Sequence, residues 1–192
     1  MIDKAKIESA ALETYAKHIK RGSPASSLEK IIKNEGLWFS EIEGNEGFLG
    51  ALIKYPNVPL HIMVRKNIEP IGRKNFTIAH ELGHYILQHI LHGTSIFCSN
   101  ISEENEIVTG QEDEANYFAR CFLLPRQRII TEFSNWFKWN FPQARSVFLW
   151  IETSGNQWRH WKAISSNLIK KFGVSEIALK IRLVELNLIN NY

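Results

Sequence analysis

The stretch of sequence that decides the fold is FTIAHELGH, at residues 76–84. Its histidines, His80 and His84, stand four residues apart, so on a helix both side chains lie on one face, about one turn from each other. Two imidazoles at this spacing can bind one zinc ion. Glu81 lies about 100° round the helix from His80 and can act as a general base beside the metal. The stretch therefore predicts a helix that carries two metal ligands and a catalytic base.

The surrounding residues predict that this helix is buried. It is expected to run from Phe76 to Leu91, with Asn75 as its N-cap and Gly93 at its end. Apolar residues occupy nearly every face, whereas an exposed helix would keep one face polar. Buried imidazoles need partners, and we favour zinc over the alternative of two core histidines satisfied by other protein groups.

A catalytic zinc site usually has three protein ligands, so a third ligand is needed. The extended pattern HExxHxxGxxH does not supply it, because Leu87 and Ile90 stand where that pattern has glycine and histidine. His89 and His92 are out of register with the pattern. The third ligand is therefore expected on another element of the fold.

A second amphipathic helix is predicted at residues 111–124, directly before a proline. On a helical wheel, its apolar stripe lies about 50° from Glu112, about 150° from Asp113 and about 110° from Glu114. Alanines within the stripe would let this helix approach the motif helix closely. Glu112 therefore borders the core and completes a ligand set of two histidines and one glutamate.

Two residues of the second helix, Glu112 and Asn116, each have a second possible role. Glu112 also fits a capping box that starts at Thr109, in which its carboxylate folds back onto the Thr109 amide. Asn116 lies one turn beyond Glu112, where it either orients a metal ligand through a hydrogen bond or is a surface asparagine. The helical pattern alone leaves both pairs of interpretations open.

The two helices together resemble those of the ImmA/IrrE metallopeptidases. Members of that family carry the pattern FTxAHExGH and, later, ExEANxFAxxLLxP, and here the residues are FTIAHELGH at 76–84 and EDEANYFARCFLLP at 112–125. The resemblance implies a gluzincin-like zinc peptidase that acts on bacterial helix-turn-helix repressors. It also implies the same three metal ligands and the same catalytic base, Glu81.

The rest of the chain predicts an α+β fold. Runs with strand character at 37–42, 48–54 and 60–65 are separated by turn sequences, which predict a small antiparallel sheet packed on the motif helix. We expect a zincin-like metallopeptidase core at 1–130 and a Trp-rich helical extension at 131–192. The extension ends in two helices that resemble a helix-turn-helix pair, with Gly173 predicted to end the first helix and Ser175 to cap the second.

The composition of the chain limits the kinds of molecule that it is expected to bind. The chain has 23 Lys and Arg against 20 Asp and Glu, and a net charge of +3 does not indicate nucleic-acid binding. No apolar run reaches the roughly 18 residues of a membrane span. The two cysteines, Cys98 and Cys121, are too widely spaced for a Cys-x-x-Cys site. We expect a cytoplasmic protein with reduced thiols that binds neither a membrane nor, directly, nucleic acid.

These observations lead to one preferred function and one alternative. We expect one zinc ion per chain and hydrolysis of a peptide bond in a protein substrate, which the family resemblance identifies as a repressor. The alternative is a non-catalytic regulatory module in which zinc stabilises the fold and which binds a repressor or DNA. A closed zinc site needs a fourth protein ligand, and Cys98 is the nearby residue suited to it.

Overall fold

The structure is a computed structural model that describes residues 2–45, 47–89, 95–99, 106–151 and 155–190, with the backbone alone at 95–99 and 106–109. Its elements in chain order are α1 (Lys4–His18), α2 (Leu28–Asn34), β1 (Trp38–Ile42), β2 (Phe48–Ile53), β3 (His61–Arg65), α3 (Ile71–Ile86), β4 (Ser95–Ser99), α4 (Glu106–Leu123), α5 (Arg126–Asn140), α6 (Gly155–Phe172) and α7 (Glu176–Glu185). The predicted α+β class is confirmed. Among the helices described, none combines the length and the apolar character that a membrane crossing requires.

The described strands form a mixed sheet in the order β1-β3-β2-β4. β2 pairs antiparallel with both β3 and β4, but β1 pairs parallel with β3, so the prediction of a purely antiparallel sheet is wrong at the β1 edge. Turn residues show where the chain reverses and not which strands become neighbours. β3 occupies an inner position because Ile62 and Val64 are fully buried, whereas Trp38 of β1 stays about half exposed at the edge.

Helix α3 carries the FTIAHELGH stretch, but both of its predicted ends are wrong. Pro70 is the N-cap, and the side-chain amide of Asn75 instead donates a hydrogen bond to the backbone carbonyl of Gly173. At the other end the chain leaves the helix at Leu87, before the predicted stop at Gly93, which lies outside the described residues. The apolar pattern continues past this end, and Leu87, the first residue beyond the helix, also packs on the core.

The carboxy-terminal helices α6 and α7 follow the prediction closely. Gly173 ends α6 with a φ of 68°, a left-handed conformation that glycine adopts without steric cost. Ser175 is the N-cap of α7 and accepts a hydrogen bond from the Ala178 amide. Helices on both sides of residue 130 contribute to one hydrophobic cluster, and the division into a core and an extension stays a prediction.

Candidate metal centre

Helix α3 carries the two motif histidines into the interior of the protein. His80 is 6% exposed, and Glu81 and His84 are fully buried. The helix packs on β2 and β3 on one side and on α4 on the other, so it needs apolar residues on nearly every face. Polar groups held at such a depth require partners close by.

Small residues line the contact between α3 and α4. A Cβ added to Gly83 would lie 3.0 Å from Cδ1 of Phe118 and 3.3 Å from the carbonyl oxygen of Ala115, so a larger residue would force these groups to move. Ala115 and Ala119 are fully buried, as expected of the core-facing stripe of α4. The close approach brings Glu112, about one turn before Ala115, up to the histidines of α3.

Three ligand-type side chains converge between the two helices. The Nε2 atoms of His80 and His84 lie 3.0 Å apart. Glu112 places Oε2 3.1 Å from Nε2 of His80 and Oε1 3.2 Å from Nε2 of His84. The structure therefore brings together the residues that the sequence proposed as ligands. Because α4 begins at Glu106, Thr109 lies inside the helix rather than at its N-cap, where the alternative capping box would need it.

The donor atoms and their spacing fit a zinc ion. Nitrogen and oxygen ligands lie about 2.0–2.1 Å from zinc, and tetrahedral angles then place the ligand atoms about 3.3 Å from one another. The two imidazole nitrogens are separated by 3.0 Å, and they lie 3.1 and 3.2 Å from different oxygens of Glu112, distances that are close to that value. Two imidazoles and a carboxylate are ligands that zinc accepts, and three ligands leave a fourth coordination position for another group.

The electrostatics of the cluster also suit a cation. Burial works against ionisation of Glu112, but hydrogen bonds with His80 and His84 outweigh it and keep the pKa of Glu112 well below its usual range. Burial lowers the pKa of His84 and favours its neutral form. Burial has the same tendency at His80, but the Glu112 hydrogen bond and the charge of Glu81 outweigh it and raise the pKa of His80. A metal ion would therefore compete with a proton for His80.

Asn116 contacts the cluster from α4. Its Oδ1 lies 3.1 Å from Nδ1 of His80, and the residue is half-buried. When Nδ1 of His80 donates to this oxygen, Nε2 keeps its lone pair on the side of His84 and Glu112. This is the contact that the sequence analysis expected of a residue that orients a metal ligand.

Glu81 lies on the side of α3 that faces the sheet. A Cβ added to Gly50 of β2 would lie 2.8 Å from Oε1 of Glu81 and 2.9 Å from Cγ2 of Thr77, so the β2 backbone passes directly over the carboxyl group. Only glycine leaves room for this approach. The β2 backbone and α3 thus hold the Glu81 carboxyl group in a narrow space beside His80.

Two residues besides the predicted ligands and base extend the site, His89 and Glu114. Nδ1 of His89 lies 2.8 Å from Nδ1 of His84, and Nε2 of His89 lies 3.0 Å from Oε2 of Glu114. Burial lowers the pKa of His89. The sequence carried one signal for this arrangement, which is the occurrence of His89 shortly after the motif. The predicted helix ran on to Leu91, and on such a helix His89 would point away from His84.

The cysteines and His92 complete the sequence candidates. Cys121 is a buried free thiol, and burial raises its pKa to about 11. Cys98 pairs with Gly50 through the backbone of β4, and its side chain is outside the described part of the structure. His92 also lies outside the described residues.

Comparison with known proteins gives a family and a structural neighbour. Residues 50–184 match the family model Peptidase_M78, described as the IrrE N-terminal-like domain, and this match includes all of α3 and α4. No curated protein matched the chain. A solved structure described as a Mycobacterium tuberculosis transcriptional regulator is similar, with a TM-score of 0.48 and 14% identity over 93% of this chain and 46% of that one. The chain thus spans about half the length of that protein.

Proposed function

The chain belongs to the IrrE N-terminal-like peptidase family, and from this premise we propose that it is a zinc-dependent endopeptidase. The observation that carries the proposal is the convergence of His80, His84 and Glu112, whose ligand atoms lie 3.0–3.2 Å apart. A further carboxyl group, that of Glu81, is held beside them on α3. Three ligands and a general base are the protein groups that a metallopeptidase needs.

Each residue has a defined role in the proposed reaction. The three ligands hold one zinc ion per chain, and Asn116 orients the ring of His80 through its Nδ1 atom. When bound, the metal supplies Lewis-acid activation of a water molecule and of the scissile carbonyl group. Glu81 accepts a proton from that water and delivers it to the leaving amine.

We propose a bacterial helix-turn-helix repressor as the substrate. The support is the resemblance of the two motif helices to the ImmA/IrrE metallopeptidases. Because a repressor acts on DNA, we place the reaction in the cytoplasm. The proposed extension at 131–192 offers a docking surface, since Trp139 and Trp150 are 85% and 64% exposed and exposed tryptophans often anchor protein interfaces.

The test replaces Glu81 by Gln, which is nearly the same size but cannot accept the proton. The protein and a candidate repressor are combined, fragments are identified by mass spectrometry, and zinc is measured by elemental analysis. We expect Glu81→Gln to keep about one zinc per chain and to lose about 10²–10⁴-fold in cleavage rate. The matched control is Glu29→Gln, the same substitution at an exposed residue of α2, which should cleave as the wild type does.

Two results would overturn this proposal. The first is a zinc content far below one per chain that is unchanged in His80→Ala. The second is equal loss of repressor function with wild type and Glu81→Gln while no fragment forms. That result would instead support the non-catalytic regulatory module. Zinc content would then be measured in Cys98→Ser, where loss of zinc indicates a closed site and retention an open one.

A further inference from the structure

His89 reaches the metal centre because the chain turns sharply after α3. The helix ends at Ile86, and Gln88 adopts a φ of 62°, the left-handed conformation that commonly terminates helices. This turn directs His89 back beneath the last turn of the helix, where it is only 8% exposed. Its ring lies edge-on to that of His84, with the centroids 5.0 Å apart. A non-glycine residue in this conformation is uncommon, so the position of His89 depends on a specific backbone geometry.

A continuous chain of close contacts runs from Glu114 to the ligand cluster. Oε2 of Glu114 lies 3.0 Å from Nε2 of His89, and Nδ1 of His89 lies 2.8 Å from Nδ1 of His84. Nε2 of His84 in turn faces Glu112 at 3.2 Å. The outer contacts thus use every ring nitrogen of His89 and the nitrogen of His84 that does not face the ligand cluster.

The chemistry of the terminal carboxylate sets the direction of this chain. An ionised carboxylate only accepts hydrogen bonds, so His89 donates to Glu114 through Nε2–H. In a neutral imidazole the other nitrogen is then an acceptor, so Nδ1 of His89 accepts from Nδ1–H of His84. His84 is left with an unprotonated Nε2, whose lone pair points toward the ligand cluster. That is the tautomer a metal-binding histidine requires.

We propose that His89 and Glu114 are positioning residues that fix the tautomer and ring orientation of His84 and thereby strengthen metal binding. The inference rests on the metal site of the proposed function, and neither residue touches the metal or the substrate in it. The two motif histidines are thus oriented by different partners: Asn116 acts on His80, and the His89–Glu114 pair acts on His84.

The test is a zinc competition assay against a chelator, with the free energy of unfolding of the metal-free protein measured in parallel. His89→Phe keeps an aromatic ring and removes both nitrogens, and Glu114→Met removes the terminal acceptor at a position one third exposed. We expect each variant to bind zinc about 10–100-fold more weakly than the wild type. The double variant should be no weaker than the weaker single variant, because both substitutions break the same chain.

Conservative and control variants separate positioning from a general structural role. Glu114→Gln keeps an acceptor for Nε2–H and should recover most of the zinc affinity that Glu114→Met loses. Asp113→Asn changes an exposed acid on the same helix and should bind zinc as the wild type does. Glu112→Gln alters a ligand and should weaken zinc more than either Glu114 variant.

The outcomes distinguish this inference from the proposed function. Unchanged zinc affinity in His89→Phe and Glu114→Met overturns the inference, even where Glu81→Gln has lost cleavage. Losses that add up in the double variant, or that appear only in the stability of the metal-free protein, also overturn it. Weaker zinc binding with recovery in Glu114→Gln supports it, whether or not the wild type cleaves a repressor. Absence of zinc binding by the wild type overturns both proposals.

Discussion

Helix α4 contributes residues to two buried polar clusters, one toward each of its ends. The two clusters differ in which groups replace water around their polar side chains. The metal cluster consists of His80, His84 and Glu112. The arginine cluster consists of Glu8, Tyr117, Arg120, Arg182 and Glu185. Both take polar groups out of water, which costs free energy unless partners replace the water.

In the arginine cluster, cations and carboxylates meet directly. Arg182 is 1% exposed, and its Nη2 lies 2.6 Å from Oε1 of Glu8 while its Nε lies 3.3 Å from the carbonyl oxygen of Leu124. Glu185 pairs with Nη2 of Arg120 at 3.0 Å. Each arginine thus faces a carboxylate, so the cluster needs no further ion. This cluster joins α1, α4 and α7 and has a structural role.

The metal cluster contains no arginine or lysine. Two imidazole nitrogens and two carboxylate oxygens face one another at 3.0–3.2 Å, and all of these atoms can act as electron-pair donors. Their outer contacts, at Asn116 and His89, involve the ring nitrogens that face away from the cluster. Burial and charge alone therefore do not distinguish a functional site from a structural one. The chemistry of the groups does, because every group of the metal cluster can offer a lone pair, whereas arginine cannot.

The largest expected effect comes from breaking the arginine cluster. Arg182→Met leaves Glu8 without its buried cation, whereas Glu185 keeps Arg120. Removing one partner of a buried ion pair costs about 3–5 kcal/mol. Because the Glu8 and Glu185 side chains are 19% and 17% exposed, we expect the lower end, about 3 kcal/mol in the free energy of unfolding by urea.

The control for Arg182→Met is Lys162→Met, which removes the cation of the exposed pair with Glu176. Exposed pairs contribute about 0–1 kcal/mol. The folded fraction of Arg182→Met should bind zinc as tightly as the wild type. A large loss of zinc affinity would mean that the two clusters are coupled through α4.

The second effect is the stabilisation of the protein by zinc. A ligand that binds only the folded state adds about 2.7 kcal/mol at a free concentration 100 times its Kd. We expect this increase in the free energy of unfolding for the wild type and for Arg182→Met, since effects at separated sites add. His80→Ala should show no increase at the same zinc concentration. An equal increase in His80→Ala would place the zinc elsewhere in the molecule.

The sequence predicted those features of the clusters and of the fold that depend on neighbouring residues in the chain. Glu112 follows from helical periodicity, and Gly173 and Ser175 follow from the preferences of helix ends. His89 could not be predicted in the same way, because Gln88 is not a residue that marks a left-handed turn. The directional contact from His89 to Glu114 joins two elements and depends on that turn.

The order of the strands in the sheet was also not predictable from local sequence. The turn between β1 and β2 was visible in the sequence, but the insertion of β3 between them is decided by which strand buries its side chains best. The arginine cluster was also missed, since Glu8 and Arg182 are 174 residues apart. Long-range pairing of this kind has no local signature.

The third effect tests how tightly Glu81 is packed against β2, beside the metal cluster. Gly50→Ala would place a Cβ 2.8 Å from Oε1 of Glu81, closer than such atoms approach in folded proteins. Overpacking costs about 1–3 kcal/mol, so we expect about 2 kcal/mol in the free energy of unfolding. The displaced Glu81 should also lower the cleavage rate while zinc content stays unchanged.

The control for Gly50→Ala is Gly47→Ala, where nothing lies within 4 Å of an added Cβ. It should leave the cleavage rate unchanged. Full activity in Gly50→Ala would show that the position of Glu81 against β2 is not needed for catalysis.

The smallest effect concerns the helix that carries both clusters. Gly110 lies within α4, and a Cβ added to it has nothing within 4 Å. Alanine is more favourable than glycine inside a helix by about 0.5–1 kcal/mol, so Gly110→Ala should raise the free energy of unfolding by about that amount. Glu112 lies just beyond this residue, whereas Arg120 lies more than two turns further along. The zinc Kd of Gly110→Ala should match that of the wild type if Glu112 is already held in place without metal. A tighter Kd would contradict this expectation, because it would mean that ordering the first turns of α4 is part of zinc binding.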